Sequence, residues 1–309
     1  MLIRNIGVIG RTYRHIHRYS EILGTLFKLG FGDLVISLRV EQYLDIGRQM
    51  IFRQKKEKIE ALSRAVRIRM VLEELGPTFI KLGQVLSTRP DILPEEFLQE
   101  LVKLQDEVPP FPFEEAQKNM EQELGGPLEL FFSKVDPTPL AAASIGQVHR
   151  ATLITGEDVV IKIRRPNIRR MIEVDLEILY HLASLLEKHI FGWELHRPTE
   201  VVEEFGHTLE RELDYRAEAS NMERMAEQHR HDPRYFIPRV FRQASGGRLL
   251  TRDFVEGIPA GNLERLREAG YDLGEIARLG AELIMRQTLV HGFFHADPHP
   301  GNLRVLPGP

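Results

Sequence analysis

Residues 139–166, PLAAASIGQVHRATLITGEDVVIKIRRP, constrain the fold more than any other stretch of this chain. Two runs rich in Val, Ile and Thr flank Thr155-Gly156-Glu157-Asp158, a turn tetrapeptide. Such a pattern predicts two β-segments folded back on one another. Almost everything before and after carries helical spacing instead. The order of elements is therefore helices, a small β-rich part, then a helix leading into the terminal loop, which makes the class α+β.

The helical segments can be placed one by one. Residues 35–74 repeat apolar positions at helical spacing amid many Lys, Arg and Glu, and predict one long helix. Pro77 suits the first turn of a further helix, PTFIKLGQVLST, which stops at RPDILP. VPPFPF (108–113) predicts a rigid connector, and FEEAQKNMEQEL a helix closed by Gly125 and Gly126. Beyond the β-segments, NIRRMIEVDLEILYHLASLLEKH reads as helix, and so does PTEVVEEFGHTLERELDYRAEASNMERMAEQ. RLLTRDFVEG (248–257) predicts a strand. Asp272, with Glu275 three residues on, forms a capping-box pattern for a helix ending at Gly292. Ile276, Leu279, Leu283 and Val290 mark its buried face.

Charge is distributed unevenly. Residues 1–70 hold 14 Lys and Arg against 6 Asp and Glu, a balance of +8, which leaves −12 for the rest. A basic arm suits an anionic surface, lipid headgroups or nucleic acid, and it equally suits docking on its own acidic body. Nucleic acid has only this arm in its favour. The chain has no cysteine, so disulfides and thiol chemistry are excluded and a zinc site would need His and carboxylates alone. No stretch reaches the ~18 apolar residues of a membrane span. ILGTLFKLGFGDLVISL (22–38), broken by Lys28, Asp33 and three glycines, can at most lie on a membrane surface.

Four places carry residues capable of chemistry. Lys162 ends the apolar run Val159–Lys162; a buried ammonium there needs an anion, while an edge-strand Lys facing solvent has the same sequence. Ala141–Val148 reads A-x-A-x-x-G-x-V, a Gly-rich phosphate loop with alanine at two glycine positions, or a tight hairpin entry. In ERELDYRAEASN, Asp214, Glu218 and Asn221 fall on one helical face, with Glu212 pointing elsewhere. Glu218 can then reach Lys162 while Glu212 meets Lys81 of IKLGQ, where Gly83 costs helix stability unless a neighbour approaches closely. The terminal loop, HADPHPGN, offers His291, His295, Asp297 and His299 as metal ligands. Pro298 and Pro300 break any helical His pair, so H-x-D-x-x-x-x-N, a catalytic loop, matches better.

The order of these motifs is that of a protein kinase, from N-lobe to catalytic loop. With KLGQ ahead of the lobe, the alanine-rich loop and ELDYRAEASN, residues from about 40 to 309 resemble the UbiB (ABC1, aarF-domain) family of atypical kinase-like proteins. The resemblance implies a protein-kinase-like fold with a small β-rich N-lobe, a helical N-terminal extension and an incomplete helical C-lobe. Its parts would be a basic helical arm at 1–70, a KxGQ-bearing helical extension at 71–137, the N-lobe at 138–255 and the start of the C-lobe at 256–309. It further implies that Lys162 holds nucleotide phosphates with Glu218 as its partner. Ala141, Ala142, Ala143, Ser144, Gly146 and Val148 would form the loop over an ATP or ADP, with Asp253 and Val255 at the hinge. Lys81 and Gln84 would be the KxGQ pair, filling the space of a peptide substrate, and Glu212 and Asp214 the ExD motif facing it. Asp297 would be the catalytic aspartate, supported by His295, and Asn302 a Mg²⁺ ligand.

The same resemblance implies ATPase or phosphotransferase activity in ubiquinone biosynthesis. The partners would be an adenine nucleotide, an anionic membrane surface or isoprenoid lipid, and other quinone-biosynthesis proteins. The place would be cytoplasmic, peripheral at the inner face of the membrane. A small-molecule phosphotransferase and a non-catalytic lipid- or partner-binding scaffold are the rival readings. Two departures stand out: Ala296 and His299 replace the Arg and Lys of protein kinases, and no D-F-G follows before Pro309. These 309 residues are therefore expected to be severely impaired in catalysis.

Overall fold

The computed structural model describes residues 12–40, 61–104, 108–190, 197–296 and 302–307. Helices α1 (Thr12–Lys28) and α2 (Gly32–Ser37) open it. The single long helix expected over 35–74 is not formed. Arg39 turns left-handed at φ 56°, and extended Ser63 starts a new helix, α3 (Arg64–Leu75), by accepting from Val66 N at 3.3 Å. Pro77 begins α4 (Pro77–Ser87) directly after Gly76, whose φ of 89° few other residues tolerate. After α5 (Glu95–Leu101) the proline-rich connector has no regular structure, and α6 (Phe113–Leu124) ends on left-handed Gly125.

The strands follow as β1 (Phe132–Val135), β2 (Ala141–Ala142), β3 (Gly146–Leu153) and β4 (Asp158–Arg164). Gly156, at φ 99°, makes the turn between β3 and β4, where Leu153 N donates to Glu157 O at 2.9 Å. Then come α7 (Ile168–His189), α8 (Pro198–Glu212) and α9 (Tyr215–Gln228). The last two read as one helix in sequence but break at Leu213–Asp214. The Tyr215 N–H donates to Gly247 O at 3.0 Å and so leaves the helical ladder. Strand β5 (Leu249–Asp253), β6 (Ile258–Pro259), α10 (Leu263–Glu268), α11 (Leu273–Arg286) and β7 (Arg304–Val305) complete the order.

Asp272 caps α11, its Oδ1 accepting from Gly274 N at 2.7 Å and Glu275 N at 3.3 Å. The expected buried face of this helix is only half-covered: Ile276, Leu279 and Leu283 are intermediate and Val290 is 71% exposed. A π-turn over Gln287–His291 adds a residue to the last turn and swings Val290 off the stripe before left-handed Gly292.

The chain forms two compact units. One comprises residues up to Asn119, Pro139–Val148 and Ile163–Asp214; the other comprises Met120–Thr138, His149–Lys162 and Tyr215 onward. In the first, Leu23, Val71, Leu72, Phe79 and Leu101 form a core with Ile178 and Leu182 of α7, and Ile172, Leu176, Phe205 and Leu209 form another. Part of the basic arm is neutralised inside this unit. Arg18 donates to the fully buried Asp175 carboxylate at 2.7 and 3.2 Å, and Lys28 meets Glu74 at 2.7 Å. In the second unit the strands run β1-β3-β4-β5, with Tyr215 and Ala219 of α9 packed on Leu250 of β5.

Candidate functional site

In the second unit, β4 carries Lys162 toward α9. Val159, Val160 and Ile161 are buried, which holds the strand in place, while Lys162 itself is only half-buried. Its Nζ donates to Glu218 Oε2 at 2.7 Å and lies 4.8 Å from the centre of the Tyr215 ring. Glu218 sits in the first turn of α9, where a negative charge suits the helix dipole. The pair is open to solvent at 36% and 39% of its side chains, so an incoming anion can still reach the ammonium.

The hinge and the terminal segment belong to the same unit. The Asp253 carboxylate accepts from Arg239 N at 2.6 Å, and half-buried Val255 follows β5. β6 and β7 pair antiparallel, Ile258 opposite Val305 and Pro259 opposite Arg304, and Ala260 N donates to Leu303 O at 3.0 Å. A Cβ on Gly257 would stand 2.8 Å from Val305 O, so this approach requires glycine. The pairing ties exposed Asn302 to the chain just beyond the hinge. On the loop's other side, His295 N donates to the Oε1 of buried Gln287 at 3.0 Å. Asp297 and His299 lie outside the described residues. Among the described residues no group of three His, Asp or Glu is placed to hold a metal ion.

The first unit gathers the other motif residues. Lys81 Nζ meets Glu212 Oε1 at 3.0 Å, at side-chain exposures of 21% and 33%. Gln84 donates through Nε2 to Leu104 O at 3.3 Å. Gly83 is a packing requirement: a Cβ there would stand 2.2 Å from Leu104 Cδ1 and 2.7 Å from Leu72 Cδ1. Asp214 falls in the break between α8 and α9, not on the Glu218 face of one helix.

The alanine loop is a tight hairpin. Ala141 pairs with Val148 and Ala142 with Gln147, and Ala143 N donates to Gly146 O at 2.7 Å. Ser144 and Gly146 are buried at its tip. Buried Gln147 clamps it to the connector, accepting from Phe111 N at 3.0 Å and donating to Phe111 O at 3.2 Å. Arg165 N donates to Ile145 O at 2.8 Å. Sequence reasoning missed Gln147, Arg165 and Gln287 as supports. The one available signal was a long polar side chain set in an apolar run.

Comparison with known proteins gives this arrangement a family. The ABC1 atypical kinase-like domain model matches residues 103–308. A probable protein kinase UbiB of Marinobacter nauticus is 41% identical over 244 residues, covering 79% of this chain and 45% of that protein. The chloroplastic protein ACTIVITY OF BC1 COMPLEX KINASE 1 of Arabidopsis thaliana is 46% identical over 248 residues, covering 79% of this chain and 36% of that one. The chain thus spans less than half the length of these relatives. A solved structure from Mycobacterium tuberculosis, the Rv3197–erythromycin complex, matches with TM-score 0.57 at 30% identity, covering 84% of this chain and 64% of that chain. The kinase-like arrangement of helices and small sheet is therefore a shared one, and the chain belongs to the ABC1 atypical kinase-like family.

Proposed function

We propose that this chain carries the nucleotide site of an atypical kinase-like ATPase or phosphotransferase of the UbiB kind, serving isoprenoid-quinone biosynthesis. The observation that carries the reading is the Lys162–Glu218 ion pair at 2.7 Å. An oriented, accessible ammonium is what a polyphosphate needs, and the carboxylate keeps it in place between ligands. Adenine would lie against the hinge at Asp253 and Val255. The alanine hairpin has fewer free N–H groups than a glycine loop, because Ala143 N already serves Gly146 O.

Mg²⁺ is a hard cation that takes oxygen ligands, and Asn302 carries one. Asn302 would offer its amide oxygen, and Asp297 would be the catalytic carboxylate. Magnesium, when bound, neutralises charge on the phosphates. Lys81 and Glu212, held to each other, favour a small or lipid-borne acceptor over a peptide. The +8 balance of residues 1–70 supports peripheral attachment to an anionic membrane at its inner face.

Calorimetry of Mg-ATP binding tests the reading. Lys162→Ala should weaken affinity about tenfold or more, as loss of a charge-assisted contact does. The same change in a complementing copy of the protein should leave a deletion strain short of quinone. Equal affinity in wild type and variant removes Lys162 from the site.

A further inference from the structure

Strand β5 places a second cation beside Lys162. Leu250 packs on Tyr215 and Ala219 of α9, and side chains alternate along a strand, so Arg252 shares that helix-covered side. β5 neighbours β4, which brings Lys162 to Glu218 on the same helix. Half-buried Arg252 has neither a hydrogen bond nor an ion pair to its side chain among the described residues. Burial pulls its guanidinium below the ordinary value, with Glu218 the leading opposing charge and Arg304 adding repulsion.

The local charge does not close. Glu218 is already paired with Lys162, and the Asp253 carboxylate faces the Arg239 guanidinium at 3.6 Å. Lys162 and Arg252 thus share one side with Glu218, while Arg304 adds repulsion to Arg252 and Asp253 only a smaller attraction. A Leu or Met would sit at a half-buried strand position at no electrostatic cost, whereas an unpaired guanidinium destabilises the free protein. The excess positive charge calls for an anion from outside the chain.

We propose that Arg252 is a second phosphate-contacting residue, its guanidinium taking a phosphate oxygen of the ligand beside Lys162, so that the site prefers di- and triphosphates. This rests on the nucleotide reading of the same site. Guanidinium offers planar, paired donors to phosphate where ammonium offers a point charge, so the two cations are not redundant.

The test compares wild type, Arg252→Met, Arg252→Lys and Lys162→Ala by calorimetry with Mg-ATP, Mg-ADP, tripolyphosphate and adenosine. Arg252→Met should bind ATP, ADP and tripolyphosphate about tenfold more weakly or worse, while adenosine changes by less than about twofold. Arg252→Lys should recover part of the loss. The ligand-free melting temperature of Arg252→Met should equal or exceed that of wild type; a drop would mark Arg252 as structural and overturn the proposal. ATP affinity that falls in Lys162→Ala but not in Arg252→Met overturns it as well, and leaves the nucleotide site standing. Tripolyphosphate binding that needs Arg252, without any ATP binding, keeps Arg252 and refutes the nucleotide. A change confined to ATP-against-GTP preference would place Arg252 on the base and refute the phosphate contact.

Discussion

Arg18→Met measures how firmly the basic arm is held to its own unit. Arg18 Nε lies 2.7 Å from Asp175 Oδ1 and Nη2 lies 3.2 Å from Oδ2, while Nη2 also donates to Leu75 O at 2.7 Å. The Asp175 side chain is 0% exposed and that of Arg18 17%. Burial opposes the Arg18 charge, yet the Asp175 hydrogen bonds hold its pKa above the ordinary value. Removing the guanidinium leaves a core carboxylate without a counter-charge and a carbonyl without a donor. Breaking a buried pair in this way costs about 3–5 kcal/mol. The contact of Arg18 with Glu21 is at the surface and adds at most about 1 kcal/mol. At about 2–4 °C per kcal/mol, the melting temperature should fall by roughly 6–20 °C. Urea unfolding and hydrogen exchange across α1 give the assay. The double variant Arg18→Met, Asp175→Leu should recover most of the loss, since apolar replacement of a buried pair is often neutral or better. A single variant within about 1 kcal/mol of wild type, or a double variant no better than the single, would refute the reasoning.

Two further outcomes follow from the packing. Gly83→Ala gains about 1 kcal/mol of helix propensity but must push Leu104 and Leu72 aside, at about 1–3 kcal/mol, so denaturant unfolding should show net loss, larger still for Gly83→Leu. His149 and His181 both have pKa values lowered by burial, so each is neutral when folded and takes up a proton more readily when unfolded. In the window below the unfolded value of about 6.5, the unfolded state binds more protons, and stability falls as pH drops. Urea midpoints at pH 7.5 and 5.5 should show that fall, with a smaller slope in His149→Gln; a flat profile in wild type would contradict it.

Much of the site was legible because its signals are local. Gly156 between two Val- and Ile-rich runs, Pro77 at a helix start and the Asp272 cap act through backbone preferences that a few residues decide. Lys162 with Glu218, and Lys81 with Glu212, were legible as pairs because a half-buried charge needs its opposite. The helix break was not, since what ends α8 is the Gly247 carbonyl drawing off the Tyr215 N–H, 32 residues away. Nor was the exposure of Val290, which follows from a π-turn that helical periodicity does not foresee.

The sequence by itself determined the class of elements, their order and the motif residues, because hydrophobic period, turn chemistry and charge type are properties of short stretches. Tertiary structure alone decided partners and burial. Arg18 reaches Asp175 across 157 positions, and Gln147 clamps Phe111 across 36. Each depends on which strand neighbours which and on what close packing leaves room for, and neither is written in any single segment.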